Sequence, residues 1–173
     1  MAELAPRERL QPSLLDRLTD DEPGTQAEPR ERRVLSLRTL REGVLRDLAW
    51  LLNTTSLLSS VDAPKLPHIA NSVINYGVPD LSGNSIANLN LSRLERAIRQ
   101  AIWDFEPRLV RGTVSVRAVS GTGAGPAIEH NKLTFEIEAD MWAQPYPERL
   151  FLKTELDLEH GAITLAESAR SGA

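Results

Sequence analysis

Cysteine is absent from this 173-residue chain, which excludes disulfides and thiolate metal sites and fits a reducing compartment. Aromatic residues are scarce, at 5%, and nowhere do they interleave with bases as on a platform for stacked nucleotides. Positive charge is not in excess either. Twenty Lys and Arg against 24 Asp and Glu leave a formal net charge of -4, so neither sequence-independent binding to nucleic acid nor attraction to an anionic membrane is expected. Long apolar runs are missing: the longest, Leu48 to Leu52, is far too short to span a bilayer, and the opening "MAELAPRERL" lacks the apolar core of a signal peptide. A cytoplasmic location without membrane insertion is the expectation. No G-x-S-x-G, H-E-x-x-H or P-loop occurs, and His68, His130 and His160 do not form a metal-ligand pattern. No cofactor or metal is therefore expected.

What is present suits one domain with a real core, since 41% of the residues are hydrophobic and 25% charged. Residues 1–33 read as a separate, flexible segment, because "TDDEPGTQAEPRERR" combines proline, glycine and dense charge with almost no apolar residue. The domain proper is placed at 34–166, and 167–173 as a C-terminal tail. Within the first segment, Leu14, Leu15 and Leu18 of "LQPSLLDRL" make one amphipathic turn. A peptide this short is not stable alone in water, so it either packs on its own domain or docks onto a partner.

From Ser36 to Asn53 the apolar positions Leu37, Leu40, Val44, Leu48, Leu51 and Leu52 recur at helical spacing. A second helix is predicted from about Leu66 to Tyr76, with Pro67 in its first turn, Ile69, Val73 and Ile74 on one side and Gly77 capping its end. The third opens at "SRLE", where Ser92 and Glu95 have capping-box spacing, and runs through Leu94, Ile98, Ala101, Ile102 and Phe105. Trp50, between leucines on the first helix, is expected in the core, and Trp142 beneath the "AQPYPE" loop.

The periodicity then changes to two. Val114, Val116 and Ala118 share one face; Leu133, Phe135, Ile137, Ala139 and Met141 share the next; Leu150, Leu152, Leu156 and Leu158 share a third, and "HGAITL" reads as a hairpin turn into a last strand. Helices first and strands afterwards give an α+β fold, an antiparallel sheet backed on one face by about three helices. The opposite face collects Glu136, Glu138, Asp140, Glu155, Asp157 and Glu159, diluted by Arg117, Lys132 and Lys153. Alternate strand residues lie about 6.6–6.8 Å apart, close to the carboxylate spacing of a glycosidase. A catalytic acid near neutral pH also needs burial or a close like charge in a cleft, and a half-solvated sheet supplies neither.

The third helix ends on "DFEPRL", an acid, a proline and a base in succession. Proline pushes the preceding residue out of helical geometry and fixes its own φ, so Glu106 and Arg108 flank a rigid corner. On physical grounds alone the corner reads as a helix stop with an exposed ion pair, worth about 0 to 1 kcal/mol.

The stretches "PSLLDRL", "VLRDLAWLLNT", "SVINYGVPDLSG", "IWDFEPRL" and "LTFEIEADMWAQPYPERLFLKTELDL" come in the order and over the extent that resemble the TssE family of type VI secretion baseplate components. That family is related to the lysozyme-like wedge proteins of contractile phage tails. The resemblance implies a non-enzymatic structural subunit of a contractile baseplate. It implies that Glu106, Pro107 and Arg108 hold the subunit against the wedge subunits TssF and TssG, and that Leu14, Leu15 and Leu18 also dock on a neighbour. It implies further that the sheet templates the sheath built from TssB and TssC, which fits strand addition at a sheet edge. The loop "GTGAGPAIEH" does not follow the family pattern. Two readings of other classes stand beside this one: a small muralytic glycoside hydrolase using two acids among Glu106, Glu136 and Glu138, and a soluble regulatory binding module on the same fold.

Overall fold

Two helices and a sheet carry the core, and each helix begins where a side chain replaces a missing backbone partner. In the computed structural model, which describes residues 13–19, 24, 36–59, 68–70, 72–80, 90–119, 128–129, 132–143 and 146–168, a short helix α1 spans Leu14–Leu18. Helix α2 spans Leu37–Leu52 and α3 spans Leu91–Phe105. Ser36 accepts the Thr39 N–H at the start of α2, and Asn90 accepts the Arg93 N–H at the start of α3. The expected capping box at Ser92 and Glu95 is thus displaced. Asn90 is the cap, Ser92 lies inside the first turn, and Glu95 accepts the backbone N–H of Ala118 instead, tying α3 to the first strand.

The strands are β1 (Ser115–Ala118), β2 (Ile128–Glu129), β3 (Lys132–Met141), β4 (Glu148–Asp157) and β5 (Ile163–Glu167). They form one antiparallel sheet in the order β1-β3-β4-β5, with β2 also paired to β3. Strict alternation sends Leu133, Phe135, Ile137, Ala139 and Met141 of β3 and Leu150, Leu152 and Leu156 of β4 to one buried face. Leu40, Val44, Leu48, Leu51 and Leu52 of α2 and Leu94, Ile98 and Ile102 of α3 close over that face. Thr154 is the polar exception, and its hydroxyl donates to the Phe135 carbonyl. The α+β class and the alternation read from the sequence hold.

Three further expectations do not. The helix predicted from Leu66 to Tyr76 is not found in its described part: residues 68–70 form a turn and Val73–Asn75 a single 3-10 turn, with Val73 and Ile74 exposed. Residues 61–67 and 71, including Pro67, lie outside the described residues. Trp50 is on the surface rather than in the core, with the Arg46 guanidinium stacked 5.2 Å from its ring centroid. Residues 144 and 145 of the loop expected over Trp142 lie outside the described residues. Glu159 leaves the strand face, because β4 ends at Asp157 and residues 158–160 form the turn to β5.

The segment after the 3-10 turn is stitched to the end of α2. Val78 N–H donates to Thr54 O at 2.8 Å and Ser56 N–H to Val78 O at 2.9 Å. Gly77, at φ 128°, sits so close that a β-carbon would lie 2.2 Å from Thr54 O. At the other side of α2's end, the Asn53 amide takes both backbone groups of Ile163: Oδ1 accepts its N–H at 2.9 Å and Nδ2 donates to its carbonyl at 2.8 Å. A side chain thereby stands where a neighbouring strand would stand. Arg41 fastens the other end of β5 to α2 by donating to Glu167 at 2.6 Å and to Glu148.

Gly77→Ala combines a forbidden φ with a backbone clash, and the strain at such a position is of order 1–3 kcal/mol before the clash is counted. Urea unfolding should therefore show Gly77→Ala clearly less stable than the parent. Gly112→Ala, where a β-carbon meets nothing within 4 Å, should leave the midpoint nearly unchanged.

Candidate functional site

The corner after α3 is held from three directions. Glu106 is the C-cap of α3, and its own N–H donates to Ile102 O at 2.9 Å. Beyond Pro107 the chain joins the sheet: Val110 N–H donates to Asp140 O and Trp142 N–H to Arg108 O, each at 2.8 Å, around a bridge between Leu109 and Met141. The corner is thereby tied to the C-terminal end of β3. From the third side comes α2, through Asp47.

Arg108 joins these elements. Its Nε donates to Glu106 Oε1 at 2.7 Å and its Nη2 to Glu106 Oε2 at 2.5 Å, while Nη2 also reaches Asp47 Oδ2 at 2.6 Å. The Arg108 backbone N–H donates to Glu106 Oε1 as well, at 3.1 Å. Glu106 is only 4% exposed, so the exposed pair expected on physical grounds is replaced by a buried, fork-on-fork pair. Burial by itself would lower the Arg108 pKa, but the hydrogen bonds and charge of Glu106, then of Asp47, raise it above the ordinary arginine value. Pro107, between them, is exposed.

The network continues to α1. Asp47 Oδ1 accepts from Arg46 Nε and Nη2, both at 2.9 Å, and Arg46 Nη1 donates to Asp16 Oδ1 at 2.5 Å. Asp16 closes a capping box with Ser13, whose hydroxyl also accepts from Arg46 Nη2 at 3.1 Å. The Arg46 hydrogen bond, opposed by burial and aided by Ser13, holds the Asp16 carboxyl below the usual aspartate value. Gly43 makes room where these groups meet on α2, since a β-carbon there would lie 3.2 Å from Asp16 Oδ2. Helix α1 therefore rests on its own domain through polar groups. Its leucines point away: Leu14 and Leu18 are 73% and 75% exposed and Leu15 is 43% exposed.

Between α1 and the corner lies an open hollow of about 360 Å³, lined by Ser13, Asp47, Leu51, Tyr76, Phe105 and Pro107 among others. Tyr76 meets Phe105 edge to face, with centroids 5.3 Å apart, and its hydroxyl donates to Asp47 O at 3.3 Å. Burial, followed by the nearby charges of Asp47 and Glu106, raises the Tyr76 pKa, so the phenol is neutral at physiological pH and presents an apolar ring with a donor at its tip.

The structure thus brings Glu106, Pro107 and Arg108 together with α1, while Leu14, Leu15 and Leu18 flank the same side through Ser13 and Asp16. Sequence reasoning missed Asp47, Arg46, Gly43 and Tyr76. One signal was available: Asp47 immediately precedes the buried Leu48, within the apolar stripe of α2.

The acids of the sheet are arranged otherwise. On the face opposite the helices, Glu136 stands across from Lys153 and Arg117, Asp140 pairs with Arg149 at 2.9 Å, and Asp157 with His160 at 3.1 Å. The depression beside Glu136 and Glu138 measures about 10 Å³, room for one water at most. No cluster of three or more potential metal-ligating His, Asp or Glu residues occurs among the described residues, and none of their helices is long and apolar enough to cross a membrane.

The fold is an α+β domain with a proline corner locked between its helices and the end of its sheet. The family model for the baseplate wedge protein gp25 matches residues 38–146, a stretch that includes all of α2 but its first residue, α3, the corner and β1 to β3. The chain belongs to the gp25 baseplate wedge family. No curated protein and no solved structure matches it.

Two predictions follow from the network. Removing one partner of a buried pair typically costs about 3–5 kcal/mol, so Glu106→Ala should destabilise the monomer strongly instead of leaving it folded and merely unable to assemble. Glu106→Gln with Arg108→Met should be milder than the sum of the singles in a denaturant double-mutant cycle. For α1, the folded Asp16 pKa is depressed, so its contribution is present above the unfolded carboxylate pKa, about 3.9, and is lost as pH falls through the lower folded value. Spin-label or fluorophore distances from α1 to α2 should lengthen across that acid window, and should already be long at neutral pH in Asp16→Asn.

Proposed function

We propose that the chain is a structural baseplate component of a type VI secretion system, seated against the wedge subunits TssF and TssG through its Glu106-Pro107-Arg108 corner. Leu14, Leu15 and Leu18 form a second docking element beside it, and the sheet templates the first ring of the TssB and TssC sheath. The subunit works in the cytoplasm and without catalysis. Family membership supplies the baseplate context, and the cluster of buried Glu106 with part-buried Arg108 and Asp47 is the observation that supports the corner as a preformed contact.

That cluster assigns different tasks to the three corner residues. Glu106 and Arg108 pair with one another through Nε and Nη2, and that pairing holds the turn in one geometry, while Arg108 Nη1 is buried without a hydrogen-bond partner among the described residues. Pro107 and the hollow walled by Tyr76 and Phe105 then form the contact surface. A turn fixed in advance binds with less loss of conformational entropy than a mobile one. The exposed leucines of α1 add apolar area that the domain itself leaves uncovered.

Pro107→Asp places an unpaired charge at the exposed tip while leaving the Glu106 and Arg108 cluster intact. Tagged protein recovered from its own cells should bring down wedge and sheath subunits as wild type and lose them as Pro107→Asp, with a melting temperature within a few degrees of the parent. Equal recovery from both would remove the corner from the interface.

A further inference from the structure

Helix α3 carries Arg93, Arg96 and Arg99 at intervals of three, and they differ from the arginines of α2. Arg38, Arg41 and Arg46 each reach a carboxylate of this chain. Arg93, Arg96 and Arg99 reach none among the described residues, although the chain as a whole has more acids than bases. The two acids on α3 are already engaged. Glu95 accepts the Ala118 N–H, and Asp104 accepts from Gln100 and Arg111.

The arginine row continues into an ordered aromatic stack. Arg99 and Arg111 lie 5.3 and 5.1 Å from the centroid of the Trp103 ring, and stacking of this kind holds a guanidinium in place before any partner arrives. Rows at intervals of three span about 4.5 Å per step along a helix. Carboxylates spaced three residues apart on a second helix have the same rise.

We propose that the α3 arginine face, Arg93, Arg96 and Arg99, extended around Trp103 by Arg111 of the 3-10 turn Arg111–Thr113, is a docking surface for an acidic helix of a neighbouring wedge subunit. The proposal rests on the baseplate reading and adds a second, electrostatic contact to the corner at the end of the same helix. Charge complementarity selects the occupant: Arg93, Arg96 and Arg99, which reach no carboxylate among the described residues of an otherwise acidic protein, favour a segment with Asp and Glu along one face. Glu95 and Asp104 within the row disfavour a uniform polyphosphate. Such a contact speeds and orients association and weakens with salt.

The test compares tagged full-length wild type, Pro107→Asp, and the triple variant Arg93→Glu, Arg96→Glu, Arg99→Glu, each recovered from its own cells at low and high ionic strength. Charge reversal should reduce recovery of a wedge subunit by about tenfold or more at low salt, with a smaller difference at high salt and an unchanged melting temperature. A second variant with lysine at the same three positions keeps the charge; carbodiimide, which joins an amine to a carboxylate with loss of water, should then link those lysines to Asp or Glu of the co-purifying subunit. Full recovery by the reversed variant together with loss in Pro107→Asp would overturn this inference and leave the baseplate reading standing. Recovery of no wedge subunit by wild type would overturn both. Retention of a short DNA duplex by wild type and not by the reversed variant would reassign the face to phosphates.

Discussion

The Arg108 guanidinium is the point on which the helices, the corner and the N-terminal peptide converge. It contacts the C-cap of α3 and a carboxylate of α2, its backbone carbonyl holds the end of β3, and through Asp47 and Arg46 it reaches α1. A hydrophobic cluster of the same volume would stabilise this junction as well or better, because desolvating charges offsets most of their attraction. Directional pairing does something apolar packing does not: it admits one arrangement of Glu106, Arg108 and Asp47 and rejects slippage of α3 against α2. In a subunit whose purpose is to present a surface to neighbours, a unique geometry matters more than a few additional kcal/mol.

The rest of the molecule divides its labour by face. The buried inner side of the sheet is apolar except at Thr154, with Glu148 and Glu167 at one end held by Arg41 of α2, and it is sealed by α2 and α3. The outer side is built from cross-strand pairs of opposite sign, Glu136 with Lys153 and Asp140 with Arg149, which limit repulsion among the acids without creating a cleft. That geometry is unsuited to raising a carboxyl pKa, in agreement with membership of a family of baseplate components. The ion-pair network around Arg108 and the exposed leucines of α1 lie instead on the helical side.

Elements with a single dominant period were legible in the sequence. β3 and β4 alternate without a break, and α2 carries an apolar stripe long enough to outvote local exceptions. The misreadings fall where the pattern was short or ambiguous. Ile69, Val73 and Ile74 imitate a helical face, yet the described turns around them leave Val73 and Ile74 in solvent, and Gly77 serves the close approach to Thr54 rather than a helix end. Trp50 falls on the flank of the α2 stripe, where a half-turn of rotation separates core from surface. The corner was visible as a proline stop, but its burial was not, because Asp47 lies 61 residues from Arg108 and no local spacing announces a partner so distant.

Asn53 gives the sheet a boundary that backbone pairing alone would not. Hydrogen bonds from Asp157 to Ala162 and from Ser168 to Phe151 set the phase of the β4-β5 ladder, so Ile163, Leu165 and Glu167 turn their backbone groups away from β4. The first of these is already answered by the Asn53 amide. A visiting strand would therefore find a ladder with its lowest rung taken, and would have to start at Leu165. One asparagine at the end of a helix thus acts as a ruler for that edge, limiting how far along it another chain can zip.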